Sequence, residues 1–140
     1  MGKGWLIGIL VLGFTVSFAA GWAAETPEKA ATSASLSWLA HIDAGKYAES
    51  WKEASSFFRG VVDEDVWVKS LNGIRKPLGD LVSRKLKSAK YMRSLPGAPD
   101  GKYVVMQFDT EFLNKKAAVE TVTFMQEKDG KWRAAGYYLK

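Results

Sequence analysis

From Leu36 to Leu78 the large apolar residues return every three or four positions, and from Tyr103 to Phe112 they return at every second position. A chain that changes period once, in this direction, builds helices first and a sheet second. Leu36, Leu39 and Ile42, with Trp38 beside them and Gly45 as a stop, predict a first helix from about Ser33 to Ala44. Tyr47, Trp51, Ala54, Phe58 and Val61 step by four, three, four and three residues, which predicts a second helix ending near Gly60. Trp67, Leu71, Ile74 and Leu78 predict a third. Asp63 reads as its N-cap, Glu64 and Asp65 suit the positive end of its dipole, and Pro77 with Gly79 closes it. Three clustered acids also raise the question of a calcium site, but the spaced oxygen ligands and loop glycine of a calcium loop are missing.

Beyond Gly79 the pattern belongs to strands. Leu81 to about Arg93 is a basic stretch of mixed pattern, read as a first strand, and Leu95 to Gly101 is a loop rich in Pro and Gly. Tyr103 to Phe112 alternates, with Val104, Met106, Phe108, Thr110 and Phe112 on one side. Ala117 to Gln126 is rich in β-branched residues, and Asp129-Gly130 makes a hairpin turn into a last strand, Trp132 to Leu139. Three N-terminal helices followed by a four-stranded antiparallel meander predict an α+β fold, with a curved sheet packed on the helices.

The first residues have a different character. One lysine, Lys3, precedes an apolar run from Trp5 to about Ala20, which ends in small residues around Gly21, Ala23 and Ala24. That is the anatomy of a signal peptide, and the run is short for a membrane span and interrupted by Gly8, Gly13, Thr15 and Ser17. Cleavage after Ala23 places small residues where processing needs them, with cleavage after Gly21 as the second choice; an uncleaved N-terminal anchor is the competing reading. The organisation expected is therefore 1–23 signal peptide, 24–32 flexible leader and 33–140 a single α+β domain, periplasmic or secreted after processing. The chain has no Cys, so neither a disulfide nor an acylated lipoprotein cysteine is available and packing alone must hold the domain. Removing Lys3 with the leader leaves 19 basic against 15 acidic residues, about +4, too mild a balance to argue for nucleic acid.

The strings Trp38-Leu39, Ile42-Asp43-Ala44-Gly45-Lys46-Tyr47, Trp51 with Ala54-Ser55, Trp67 with Arg75, Leu78-Gly79 and Arg84 carry a resemblance, continued by Leu95 to Tyr103, Glu120-Thr121-Val122 and Trp132 to Tyr137. Together they resemble the bacterial exported family catalogued as domain of unknown function 4019, over nearly all of the processed chain. That family looks like a member of the nuclear-transport-factor-like, or SnoaL-like, cystatin-like cone fold. The resemblance implies a cone-shaped sheet enclosing a pocket, and export, but assigns no activity.

Few residues offer chemistry. His41 is the single histidine and Cys is absent, so no catalytic metal, cofactor or His-centred relay is expected, and His41 reads as a half-exposed helix residue. Glu120 alternates with Val122 and Phe124, which places a carboxylate on an inward face; Arg84 shares a face with Leu86. Two opposite charges on inward faces of one sheet are most simply reconciled if they meet, and Arg75 is placed to complete the cluster. Trp67 and Tyr138, among the aromatic residues, join Arg75, Arg84 and Glu120 as candidate lining of a pocket for a small apolar ligand. The basic stretch Arg75, Lys76, Arg84, Lys85, Lys87, Lys90 and Arg93 reads either as a protected strand edge or as a contact for anionic lipid, cell-wall polymer or an acidic partner. The functional expectation is an exported, non-catalytic binding or accessory domain with a small apolar pocket. Its partner would be a small apolar ligand or another protein, a homodimer included, without nucleic acid and without stable membrane insertion after processing. The alternative is a small pocket enzyme of isomerase or cyclase type using Glu120 as its proton-transfer group.

Overall fold

The computed structural model describes residues 24–140. The predicted signal peptide and its cleavage site lie outside these residues. In order along the chain are α1 (Pro27–Asp43), α2 (Tyr47–Lys52), α3 (Ser56–Val61), α4 (Glu64–Ile74), one 3-10 turn (Lys76–Leu78), and strands β1 (Leu81–Met92), β2 (Tyr103–Phe112), β3 (Lys115–Gln126) and β4 (Trp132–Leu139). The fold is α+β, with one open antiparallel sheet in the order β1-β2-β3-β4. No described helix is long and apolar enough to cross a membrane.

Two helical boundaries differ from expectation. The stretch expected to be a flexible leader is largely helix, because Thr26 caps α1 by accepting a hydrogen bond from the Lys29 N–H and Pro27 supplies a φ suited to the first turn. Ala31, within that stretch, is fully buried. The predicted second helix is two short ones. Ser55 adopts an extended conformation between them, and its hydroxyl caps α3 by accepting from the Phe58 N–H at 3.1 Å. The Ser55 N–H, freed from any helix, donates to the Ala134 carbonyl of β4 at 2.9 Å. The apolar period runs straight through this break, so only the serine marks it. At the head of α4 Asp63 occupies the cap position without making a side-chain capping bond, which leaves the dipole to Glu64 and Asp65.

The helices cover one face of the sheet. Trp38, Leu39 and Ile42 of α1 and Trp67 and Leu71 of α4 pack on Val104, Met106 and Phe108 of β2, Val122 and Phe124 of β3 and Ala134 of β4. The other face carries Val105, Gln107, Thr121 and Thr123 at intermediate burial. Bulges decide which side chains join which face. In β4, Thr123 of β3 pairs with Gly136 but Phe124 pairs with Ala134, so Ala135 is an extra residue and the alternation reverses there. As a result Tyr137 faces inward opposite Val122, and Tyr138 faces out, 63% exposed. In β1 extra residues at Val82 and Lys87 break the alternation twice, which is why that strand reads as a mixed pattern in sequence.

Candidate functional site

Where α1 ends over the middle of the sheet, polar side chains from six segments meet inside an otherwise apolar core. Arg84 of β1 lies opposite Thr110 of β2 on the inward face. Its guanidinium is held from two sides. Nε and Nη2 donate to the Glu120 carboxylate at 2.7 and 3.2 Å, while Nη1 and Nη2 donate to Asp43, the last residue of α1, at 2.8 and 3.0 Å. Glu120 is completely buried. Besides Arg84 it accepts from the Thr110 hydroxyl at 2.7 Å and from the Tyr137 hydroxyl at 2.5 Å. Both carboxylate oxygens are thus each engaged by two donors.

Arg75, just past α4, closes the cluster from the helical side. Its Nη1 donates to the Gly79 carbonyl at 2.6 Å, its Nη2 lies 3.4 Å from Asp43 Oδ1, and its guanidinium stands 4.3 Å from the centre of the Phe112 ring. Gly79 adopts a φ of +75°, a left-handed conformation open to glycine at little cost, and an added Cβ would press on Asn114 at 3.1 Å. The Arg75 Nε is buried without a hydrogen-bond partner. Two carboxylates and two guanidiniums balance, so the core holds four charges and no net charge. Bidentate pairing of this kind is the form in which buried charge is least costly.

Titration follows from that enclosure. Burial by itself pulls the Arg84 guanidinium down, but the hydrogen bonds and charges of Asp43 and Glu120 outweigh it and raise its pKa. Burial, and then the negative charge of Glu120, push the Tyr137 phenol well above its ordinary value near 10.0. An acid whose pKa is raised by folding keeps its proton in the folded chain after the unfolded chain has lost it. The stabilisation is therefore complete below pH 10 or so and declines as pH rises beyond it. Unfolding free energy should fall more steeply above about pH 10 in the native sequence than in Tyr137→Phe, as read from urea melts across the alkaline range. Some slope will survive in the variant, because burial and Asp100 also raise the Tyr103 phenol. Equal slopes would show that Tyr137 is accessible to solvent.

Of the five residues expected to line a pocket, four are in or beside this cluster. Arg84, Glu120 and Arg75 belong to it. Trp67 reaches it through Tyr137, whose ring lies perpendicular with centroids 6.3 Å apart. Tyr138 does not belong, because the Ala135 bulge turns it to the opposite face. Where an apolar pocket was expected, aromatic rings pack against one another. Trp38 stacks on Trp67 at 6.0 Å and meets Phe124 and Tyr137 edge-on at 5.8 and 6.1 Å, while Phe58 meets Trp67 at 5.1 Å. Of five recesses among those on the described residues, 180 to 580 Å³ in volume, none is lined by Arg84 or Glu120, while Thr110 borders one of about 450 Å³.

Three members escaped the sequence reading: Asp43, Thr110 and Tyr137. Two left a signal. An acid in the last turn of a helix opposes the dipole, which marks Asp43 as held for another purpose, and Thr110 is the one polar residue in the inward row of β2. Tyr137 had none, since its direction depends on the bulge. His41, as expected, sits half-exposed on α1, its Nε2 2.9 Å from Glu53.

Residues 34–137 match the family described as protein of unknown function, DUF4019. The chain belongs to that family. No curated protein matches it. The match spans every member of the cluster, from Asp43 through Arg75, Arg84, Thr110 and Glu120 to Tyr137, so the buried network of this DUF4019 chain lies wholly within the family domain.

Proposed function

We propose that this DUF4019 chain is an exported, non-catalytic domain that acts through its surface on a protein partner, with the buried charge network serving the fold. The observation that carries the reading is the state of Glu120. A general acid or base must exchange a proton with a substrate, which requires a free lone pair and an approach path. Glu120 accepts four hydrogen bonds from three side chains, Arg84, Thr110 and Tyr137, has zero exposure, and has a packed aromatic wall beside it. An isomerase or cyclase reading built on Glu120 would need an open cavity at that carboxylate. The same packing leaves little room for a small apolar ligand in the interior, which favours the partner half of the binding role.

Export rests on the N-terminal sequence: one lysine, a short apolar run and small residues at Gly21 and Ala23. Expression of the whole chain in a bacterium, fractionation and N-terminal sequencing test it. A soluble product beginning at Ala24 is expected, compatible with the α1 cap at Thr26 remaining intact. An intact Met1 in the membrane fraction would overturn the export reading.

A further inference from the structure

The two edges of the sheet are not treated alike. β4 has its edge engaged where Ala134 accepts the Ser55 N–H. β1, twelve residues long, has β2 on one side, and among the described residues no backbone hydrogen bond reaches its other side. An open edge carries a row of unpaired N–H and C=O groups. Between the bulge at Lys87 and the end of the strand, Ser88 to Met92 pair without interruption with Tyr103 to Gln107, so this part of the edge is regular enough to take a further strand.

Beside that stretch the core is unfinished. Leu86 lies opposite buried Phe108 and faces the same side, yet is 47% exposed. It and Ala89 form one wall of a recess of about 180 Å³, and Glu28, Lys29 and Thr32 of α1 form the other. The recess has room for an apolar side chain. Along the same edge the charge on β1 is of one sign: Lys90, opposite Val105 on the other sheet face, Lys87 at the bulge and Arg93 just past the strand are exposed and make no ion pair among the described residues, while Lys85 has Asp109 opposite.

We propose that the β1 edge is a docking site for an extended, acidic segment of a partner protein, which adds to Ser88–Met92 as a fifth strand and places an apolar side chain in the recess between α1 and β1. The proposal rests on the reading of a surface-acting domain and names its partner chemistry. Backbone pairing would supply affinity, the recess would select the side chain, and the lysines would select acids. A second copy of the chain is the wrong occupant, since edge-to-edge pairing would set Lys87 and Lys90 against their own counterparts. A flat lipid surface would leave the recess unfilled.

The test is a titration of isotope-labelled processed chain with a short synthetic peptide alternating Glu and Leu, followed by amide chemical shifts and hydrogen exchange. Shifts and slowed exchange confined to Leu86–Met92 and the facing turn of α1 are expected, with affinity falling as salt is raised. Lys87→Glu combined with Lys90→Glu, both on the exposed edge, should weaken binding by about tenfold or more. No shift at millimolar peptide, shifts confined to β3 and β4, or equal binding of a Lys–Leu peptide would overturn the proposal. Tighter association with vesicles of phosphatidylglycerol and phosphatidylcholine than with the acidic peptide would overturn it in favour of a membrane contact. Because the experiment uses processed protein in solution, its failure leaves the N-terminal sequencing result standing on its own.

Discussion

Glu120→Ala is expected to lower the unfolding free energy by about 3 to 5 kcal/mol, the range for removing one partner of a buried ion pair. The substitution does more than delete one contact. Arg84 keeps its two hydrogen bonds to Asp43, but the cluster passes from balanced to one net positive charge in a largely buried site, open to solvent only on the Asp43 side. The Thr110 and Tyr137 hydroxyls lose their acceptor at the same time. A buried donor without an acceptor costs roughly 1 to 3 kcal/mol, so the two hydroxyls hold the estimate at the upper part of the range even if the pocket relaxes. Urea melts followed by circular dichroism give the number. A loss under about 0.5 kcal/mol would place Glu120 in contact with solvent and remove the closed network from the account.

Trp38→Ala should cost a similar amount, about 3 to 5 kcal/mol, for a different reason. Trp38 is where α1, α4 and the sheet meet, touching Trp67, Phe124 and Tyr137, and truncation leaves a cavity that its neighbours cannot fill without moving a helix. Its Nε1 also donates to the Ser50 carbonyl at 2.8 Å, the bond that ties α2 to α1. Trp38→Phe keeps much of the ring packing and loses that bond, so its cost should be smaller, about 1 to 3 kcal/mol. Equal costs for the two variants would show that the hydrogen bond, and not the ring volume, is what Trp38 contributes.

The division into helices and sheet could be read from the change in apolar period, and β2 from its short-range alternation, while β3 was legible through its β-branched residues, β4 through the Asp129-Gly130 turn before it, and β1 only as a mixed stretch because two bulges interrupt it. What escaped depended on single residues acting against a continuing pattern. Ser55 breaks a helix whose apolar spacing never falters, since its N–H is drawn to β4, an element about eighty residues further on that local spacing does not register. The bulge at Ala135 exchanges Tyr138 for Tyr137 without altering a single residue type. The Arg84–Glu120 pair was legible because a charge among core neighbours on a strand is conspicuous when alternation is clear. Asp43 was harder, as it sits at a helix end where charged residues are common, and only its unfavourable position against the dipole distinguishes it. Its two bonds to Arg84 make it as much a part of the pair as Glu120.

The central claim is that these buried charges form one coupled network that stabilises the fold, and the most direct measurement is the stability of Arg84→Met combined with Glu120→Leu, set beside each single substitution. Coupled charges predict that the double variant is more stable than either single one, or close to it, because removing both leaves neither group stranded. The Asp43–Arg75 contact would then remain as a pair in its own right. If instead the double variant loses the sum of the two single costs, Arg84 and Glu120 act independently, and the network at the centre of this account is not one.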